Sequence, residues 1–499
     1  MKWFCAFFLL IFFAACSPGK TARQTHRSFN PHKKFSPQQL QQDFDLYQKI
    51  LEERHPSLYW YTPKPAMDKA FEECRKQLKD SLTEYEFRKI VSVVNSQIQC
   101  GHTSVKASKQ YLKFVDTLKT RTSFPLYIKT WNDTVVVIHN TYRHDSALVR
   151  GTMIDSVNGI SVKTLLDTMY QYLNADGGNR IAKDQTLSTG TWFGSLYTSI
   201  YGWKNEYNIA YRDASGSLKH TALKPITTKR DTTIKDGKVV VVKPKKKSKK
   251  ERLADVRSLK TDSTNTTAIM ELDSFSDKLE LGRFFRQSFR ELKKKGIKNL
   301  VIDLRGNGGG RVGNSNLLKR FIADKPFKLA DSLYSKTRTT RYGRYIKDDF
   351  WMRLAMLFMT KKKADGRYHY TFYERHYFKP KKRNHFDGQV YILSGGNSFS
   401  ASVLVMSVLK PQQNVTIVGE PSGGGAYGNS AWLIPDVTLP NTKIRFRLPL
   451  FRLVINKNLP KDGQGLQPEV WVGPTIEAIR AGRDYKMFET LKMIEKTAN

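Results

Sequence analysis

QVYILSGGNSFSASVLVMSVLKPQQNVTIVGEPSGGG, residues 389–425, is the stretch that decides how this chain is read. Gln389–Leu393 is a short run rich in β-branched and aromatic residues, the pattern of a buried strand. Gly395 and Gly396 follow, then three small hydroxyl residues, Ser398, Ser400 and Ser402. Val403–Leu409 is solidly apolar and reads as a buried helix stopped by Pro411. A serine on a tight turn between such a strand and helix has its hydroxyl exposed. The helix N-terminus there offers N–H groups and a favourable dipole to a developing oxyanion. The same pattern also fits a Ser-rich N-cap on an ordinary core helix.

Upstream, Asn299–Arg311 (NLVIDLRGNGGGR) has a related layout: a buried strand, a glycine loop and the start of a helix. Gly308–Gly313 fits the GxGxxG spacing of a dinucleotide loop. No strand ending in Asp or Glu stands about 20 residues further on, as such a loop requires. Asp303 and Arg305 at the strand end also have no part in a nucleotide loop. There is no Walker A or HExxH pattern, and the ten histidines do not cluster at ligand spacing. Neither cofactor nor metal is expected. Glycines also let backbone N–H groups approach a reacting carbonyl, as in an oxyanion hole. That use needs a nucleophile, a base and an orienting group. Ser400, His102 and a carboxylate near the C-terminal end are the candidates.

At 499 residues the chain is too long for one compact core, and two to four domains are expected. Hydrophobic content of 39% with 12% aromatic residues is enough to fill them. Residues 1–15 read as a signal peptide, with one Lys before the apolar run Trp3–Phe13. Ala14-Ala15-Cys16 is similar to a bacterial lipobox, with Phe13 in place of the usual Leu. Cys16 is then a lipid anchor and 16–35 a flexible tether; a plain signal peptide is the alternative. No later segment is long and apolar enough to span a membrane. Cys74 and Cys100 are the cysteines left after Cys5 and Cys16, so no disulfide framework exists, and their pairing is open.

Ser36 with Gln39, and Thr83 with Glu86, are capping boxes opening amphipathic helices. A helical domain is expected over 36–123, its third helix ending at Cys100-Gly101-His102-Thr103. Over 124–225, strands, an Asn158-Gly159 turn and a helix at Val162–Leu173 look like a PDZ-type peptide-binding unit. Residues 226–264 are basic and poor in core formers, and read as an exposed insertion, with a possible hairpin at Asp236-Gly237. The remainder, 265–499, alternates strands and helices, with a strand at Lys443–Ile455, a turn at 462–465 and a terminal helix from Glu477. The net charge is +39, concentrated locally at 244–250 and 361–363. Such runs attract anionic envelope polymers or lipid headgroups, or are simply a solvated basic surface. Nucleic acid is not an expected partner of an exported chain.

Taken in order, four elements resemble the superfamily of tail-specific (C-terminal processing) serine peptidases, with tricorn protease and retinoid-binding repeat proteins as relatives. They are the helical segment ending in Cys100–Thr103, the PDZ-like unit with Ile154–Gly159, the loop Val301–Gly310, and Val390–Leu393 followed by Ser398–Ser402. The resemblance implies a multidomain α+β fold: an N-terminal helical domain, a PDZ-like domain and a crotonase-like (ClpP-like) α/β catalytic core. It implies Ser400 as nucleophile and an oxyanion hole from Ala401 with Gly309 or Gly310. Bacterial processing peptidases place a lysine base in the loop after Val418-Gly419-Glu420, where this chain has Gly425. The tricorn-like branch uses an N-terminal histidine instead, and His102 matches it, although Gly101 stands where tricorn has serine. Asp462 stands near the acidic position, ahead of Gly465-Leu466-Gln467-Pro468-Glu469, and it or an adjoining residue would orient the histidine. The implied activity is an envelope-tethered serine endopeptidase taking a peptide or protein as an extended strand, held to a bacterial membrane through its lipid anchor. A non-catalytic peptide- or ligand-binding member of the same fold is the alternative. A tethered basic protein that binds anionic glycan is a third reading, but it leaves 299–310 and 389–402 without a role.

Overall fold

The computed structural model describes residues 29–235, 238–242 and 245–498. The signal segment, Cys16, most of the tether and the Asp236-Gly237 turn lie outside them. Three helices come first: α1 (Pro37–Arg54), α2 (Lys64–Lys76) and α3 (Glu84–Gln97). Both expected capping boxes are present, at Ser36 and Thr83. The apolar faces of these helices do not close on each other alone. Leu40, Phe44, Tyr47, Phe71 and Phe87 share one buried cluster with the core of the C-terminal half. Tyr47 meets Phe446 edge-on at 4.9 Å. Asp43, fully buried, accepts from the N–H groups of Asn441 and Thr442 at 3.0 and 2.8 Å. Cys74 and Cys100 are buried free thiols.

Residues 124–223 build a second hydrophobic core. Its sheet contains β1 (Leu126–Trp131), β2 (Thr134–Asn140), β3 (Met153–Val157), β4 (Tyr207–Arg212) and β5 (Leu218–Leu223). They lie in the order β5-β4-β3-β2-β1, every pair antiparallel. The helices α4 (Val162–Tyr170), α5 (Arg180–Leu187) and α6 (Trp192–Tyr201) contribute Leu165, Leu187 and Phe193 to that core. Asn158 and Gly159 both have positive φ, 51° and 76°, as a tight hairpin turn demands.

The 226–264 segment is more ordered than an exposed loop. Ile226–Lys229 pairs with Thr120–Ser123, and Thr232–Lys235 pairs with Lys238–Val241. Its last part is β6 (Arg257–Thr261), the edge strand of the central sheet. An edge strand buries little, and Leu259 is its one side chain packed on the main core.

From β6 the central sheet runs through β7 (Thr267–Leu272), β8 (Asn299–Asp303), β9 (Gln389–Ser394), β10 (Val415–Gly419) and β11 (Val470–Trp471). Only the β6–β7 pair is antiparallel. A parallel sheet is covered on both faces, which is why its strands read as continuous apolar runs. Leu300, Ile302, Val390 and Ile392 face one layer, with α7 (Leu281–Lys295), α8 (Val312–Ile322) and the buried face of α9 (Asp349–Met359) in the same cluster, joined by α10 (Ala401–Leu409). Val301, Tyr391, Leu393 and Val418 face α11 (Tyr485–Ala498).

Two sequence expectations need correction. The strand expected at Lys443–Ile455 is two strands, Arg445–Arg447 and Phe451–Val454, in different sheets. Pro449 lies between them and cannot donate to a ladder. The terminal helix breaks at Gly482, φ 63°, into Ile476–Arg480 and α11. Arg445–Arg447 also pairs with Val105–Lys106, anchoring the chain just after His102 to the core. Among the described residues, no helix is long and apolar enough to cross a membrane.

Candidate active site

Between β9 and α10 the three serines meet different fates. Ser398 Oγ donates to the Leu304 carbonyl at 2.8 Å and accepts from the Gly395 N–H at 3.1 Å. Ser402 Oγ donates to the Asn307 carbonyl at 2.8 Å. Both are fully buried and fasten the turn to the glycine loop. Ser400 occupies the N-cap position of α10, yet its side chain makes no capping bond. Its hydroxyl has no hydrogen-bond partner among the described residues. The backbone there has φ 57° and ψ −114°, a conformation rarely taken by a residue with a Cβ. Such strain costs about 1–3 kcal/mol and persists where the surroundings enforce it. The cap reading therefore describes the position of Ser400 but not the behaviour of its side chain.

The glycine loop enforces that conformation. A Cβ on Gly309, whose φ is 95°, would lie 2.7 Å from Ser400 Cβ and 2.9 Å from Ala401 N. Only glycine allows so close an approach. The Gly309 N–H itself is engaged by Asn307 Oδ1 at 2.9 Å. Its carbonyl accepts from the Phe275 N–H at 2.9 Å. Of the three expected oxyanion groups, the N–H groups of Ala401 and Gly310 are the ones without a hydrogen bond among the described residues. Asn307 is fully buried and also donates Nδ2 to the Leu272 carbonyl at 2.9 Å. It holds the loop's shape, a role the sequence reading did not assign.

His102 lies past the end of α3, and the fold carries it to this turn. Its ring stands 4.6 Å from that of Phe399, the residue before Ser400. A Cβ on Gly101 would come within 2.6 Å of Phe399 Cζ, so glycine is what allows the His turn to close on that ring. No hydrogen bond joins His102 to Ser400; unliganded sites often tighten only around substrate. His102 is 7% exposed, and burial, then the Arg447 charge, push its pKa down to about 3. Its imidazole is therefore neutral at ordinary pH, with Nδ1 buried and unpartnered. Behind it, His55 is also neutral, with a pKa lowered to about 3, chiefly by burial. The Ser57 N–H donates to His55 Nδ1 at 3.2 Å. The proton of His55 is therefore on Nε2, which donates to Thr103 Oγ1 at 2.8 Å and fixes the backbone next to His102.

Asp462 is exposed, and its Oδ1 accepts from the Gln464 N–H of its own turn at 2.9 Å. The carboxylate beside the His-bearing turn belongs to Asp176. It is 1% exposed and accepts from the Gly101 N–H at 2.9 Å and the Gly425 N–H at 3.3 Å. Burial raises its pKa, and those two N–H groups and the Arg452 charge oppose the rise. Asp176 thus clamps the His turn to the loop at Gly425. A Cβ at 425 would stand 3.0 Å from the Gly428 carbonyl and 3.6 Å from Asp176 Cβ. A side chain at 425 would therefore press on the Gly428 carbonyl and stand in ordinary contact with Asp176. The Asp462 turn packs against it, since a Cβ on Gly177 would come within 2.6 Å of the Asp462 carbonyl. The sequence signal for Asp176 was its Asp-Gly-Gly turn, with Gly177 and Gly178 at positive φ.

Comparison with known proteins covers part of this site. Residues 266–472 match the family model described as Peptidase family S41, a span containing the glycine loop, Ser400, Gly425 and Asp462. No curated protein matches the chain. Among solved structures, mature CPAF complexed with lactacystin is similar at a TM-score of 0.63 and 14% identity, over 93% of this chain and 98% of that one. Mature CPAF without that compound gives 0.61 and 14%, over 91% and 95%. A putative peptidase from Parabacteroides merdae ATCC 43184 aligns at 0.46 and 16% identity, over 92% and 96%. At such identity the likeness to CPAF is one of fold.

Proposed function

We propose that this chain, whose residues 266–472 match peptidase family S41 of the tail-specific superfamily, is an endopeptidase working through Ser400 and His102 rather than a Ser–Lys dyad. It is a serine-type peptidase; the residue roles are the inference. One observation carries them: of three serines in the turn, Ser400 alone has a hydroxyl free of structural hydrogen bonds, and it sits on a strained elbow. In this reading His102 accepts the Ser400 Oγ proton as Oγ attacks the scissile carbonyl. The N–H groups of Ala401 and Gly310 stabilise the oxyanion. Protonated His102 then gives its proton to the leaving amine, and water hydrolyses the acyl-enzyme. Gly309 contributes by letting the loop reach the elbow, and Asp462 by packing its turn against the Asp176 clamp.

Substrate enters as an extended strand, with residues 124–225 acting as a PDZ-like unit, and Cys16 tethers the enzyme to the bacterial envelope. The test is labelling with a fluorophosphonate serine probe alongside cleavage of an unfolded protein. Wild type should label and cleave, and Ser400→Ala should do neither while keeping its melting temperature. A His102→Ala protein should fall by at least about a hundredfold, the low end of general-base contributions. Labelling that persists in Ser400→Ala would assign the nucleophile elsewhere. Full activity in His102→Ala would remove the base assignment alone.

A further inference from the structure

Peptidase chemistry makes no use of α9, whose sequence is DFWMRLAMLFM. Of its residues only Asp349 and Met356 are buried. Phe350, Trp351 and Phe358 are 68%, 67% and 84% exposed, and Leu354 and Leu357 are exposed beside them. Positions 350, 351, 354, 357 and 358 recur at helical spacing and form one continuous stripe. That is how a helix normally faces its core, and here it faces outward. Single exposed apolar residues need no explanation, but a contiguous aromatic and aliphatic stripe marks an interaction surface.

The charge around the stripe identifies the partner. Arg341 and Arg344 precede the helix, and Lys361 and Lys362 follow it; all four are exposed and make no ion pair among the described residues. An isologous dimer through the stripe would bring two such basic flanks together, on chains that each carry +39. An anionic lipid surface complements both features. Trp and Phe favour the level of the headgroups, and each basic side chain near the surface adds about 1 kcal/mol. We propose that α9 is an interfacial anchor. Its apolar stripe enters the boundary between headgroups and acyl chains of an anionic bilayer, and the flanking Arg and Lys side chains meet lipid phosphates. The basic run at 361–363 is then part of a membrane-facing surface. This contact is separate from any lipid on Cys16 and would hold the body of the enzyme against the membrane rather than at the end of a tether.

Hydrogen exchange on the full chain localises the contact regardless of other attachments. Phosphatidylglycerol vesicles should slow amide exchange over 349–359 by about tenfold or more, while phosphatidylcholine vesicles leave it unchanged. Lys361→Gln with Lys362→Gln should weaken partitioning onto phosphatidylglycerol vesicles roughly thirtyfold, from two such contributions. Phe350→Ser, Trp351→Ser and Phe358→Ser together should abolish the local protection with the melting temperature maintained, since these side chains are exposed. Exchange at 349–359 indifferent to both lipids would overturn the proposal. So would equal protection by both lipids, which would remove the charge recognition. Lipid-free protection with a dimer in sedimentation, dissolved by the triple variant, would assign the stripe to a second copy instead.

Discussion

Ser398 and Ser402 are scaffold because each spends its hydroxyl on the carbonyls of the glycine loop, and Ser400 is distinguished by spending none. The same accounting picks out Asp176, whose two oxygens collect N–H groups from the His turn and from Gly425. An isosteric amide can accept only one of them and must point a donor at the other. Asp176→Asn should therefore strand a buried N–H, at about 1–3 kcal/mol of stability. Whichever N–H is released, Gly101 or Gly425, the clamp between the His turn and the 425 loop is broken, so kcat should fall at least tenfold while KM changes less than twofold. Steady-state kinetics and a melting curve check both, and a proportionate rise in KM with unchanged kcat would make Asp176 a substrate contact. The sequence offered Ser400 and His102 as candidates, a serine-rich turn after a buried strand and a His on a glycine hinge, and the family resemblance singled them out; the structure adds that their two turns meet at the Phe399 ring. Asp176 was marked only by its Asp-Gly-Gly turn, since its partners are backbone groups from two distant segments that carry no side-chain signature.

The loop and elbow form one unit that glycine makes possible, and Gly425 belongs to the same packing. A lysine introduced at 425 would have to enter this packing. Gly425→Lys places a Cβ 3.0 Å from the Gly428 carbonyl and 3.6 Å from Asp176 Cβ. The Gly428 carbonyl must give by a few tenths of an ångström, while Asp176 Cβ stands at ordinary contact distance. The expected result is a protein destabilised by about 1–3 kcal/mol, the usual cost of overpacking, with no rescue of activity when combined with His102→Ala. Restored cleavage in the double variant would show that the lysine reaches Ser400 and that the clamp yields. Two of the elements that the sequence mispresented share one cause. Edge strand β6 and the split at Pro449 depend on which sheet a segment joins, and a short polar edge or a two-sheet corner leaves no clear alternation. Parallel strands β8 and β9 were plain because burial on both faces makes them apolar throughout.

The helices α1–α3 share one core with the C-terminal half, and that union buries His55 and His102. Two neutral histidines sealed by long-range packing link pH to the stability of the whole chain. Unfolded, each takes up a proton below about pH 6.5. Folded, both stay neutral down to about pH 3. Between those values the unfolded state binds more protons, so stability is full above about pH 6.5 and is lost as the pH falls. Each histidine contributes a slope of up to about 1.4 kcal/mol per pH unit. Asp176, with its pKa raised, acts in the opposite direction, but nearer the carboxylate range. The window from pH 6.5 to 5 is therefore dominated by the histidines. Denaturant unfolding across it should show stability falling with pH. His55→Gln, which has no proton to gain, should lower overall stability but remove about half of that slope. A flat profile in wild type, or an unchanged slope in His55→Gln, would mean that these rings are hydrated or protonated in the folded enzyme. The same low pKa keeps His102 in its base form throughout the window, so loss of activity there should follow the unfolded fraction rather than a titration near pH 6.5.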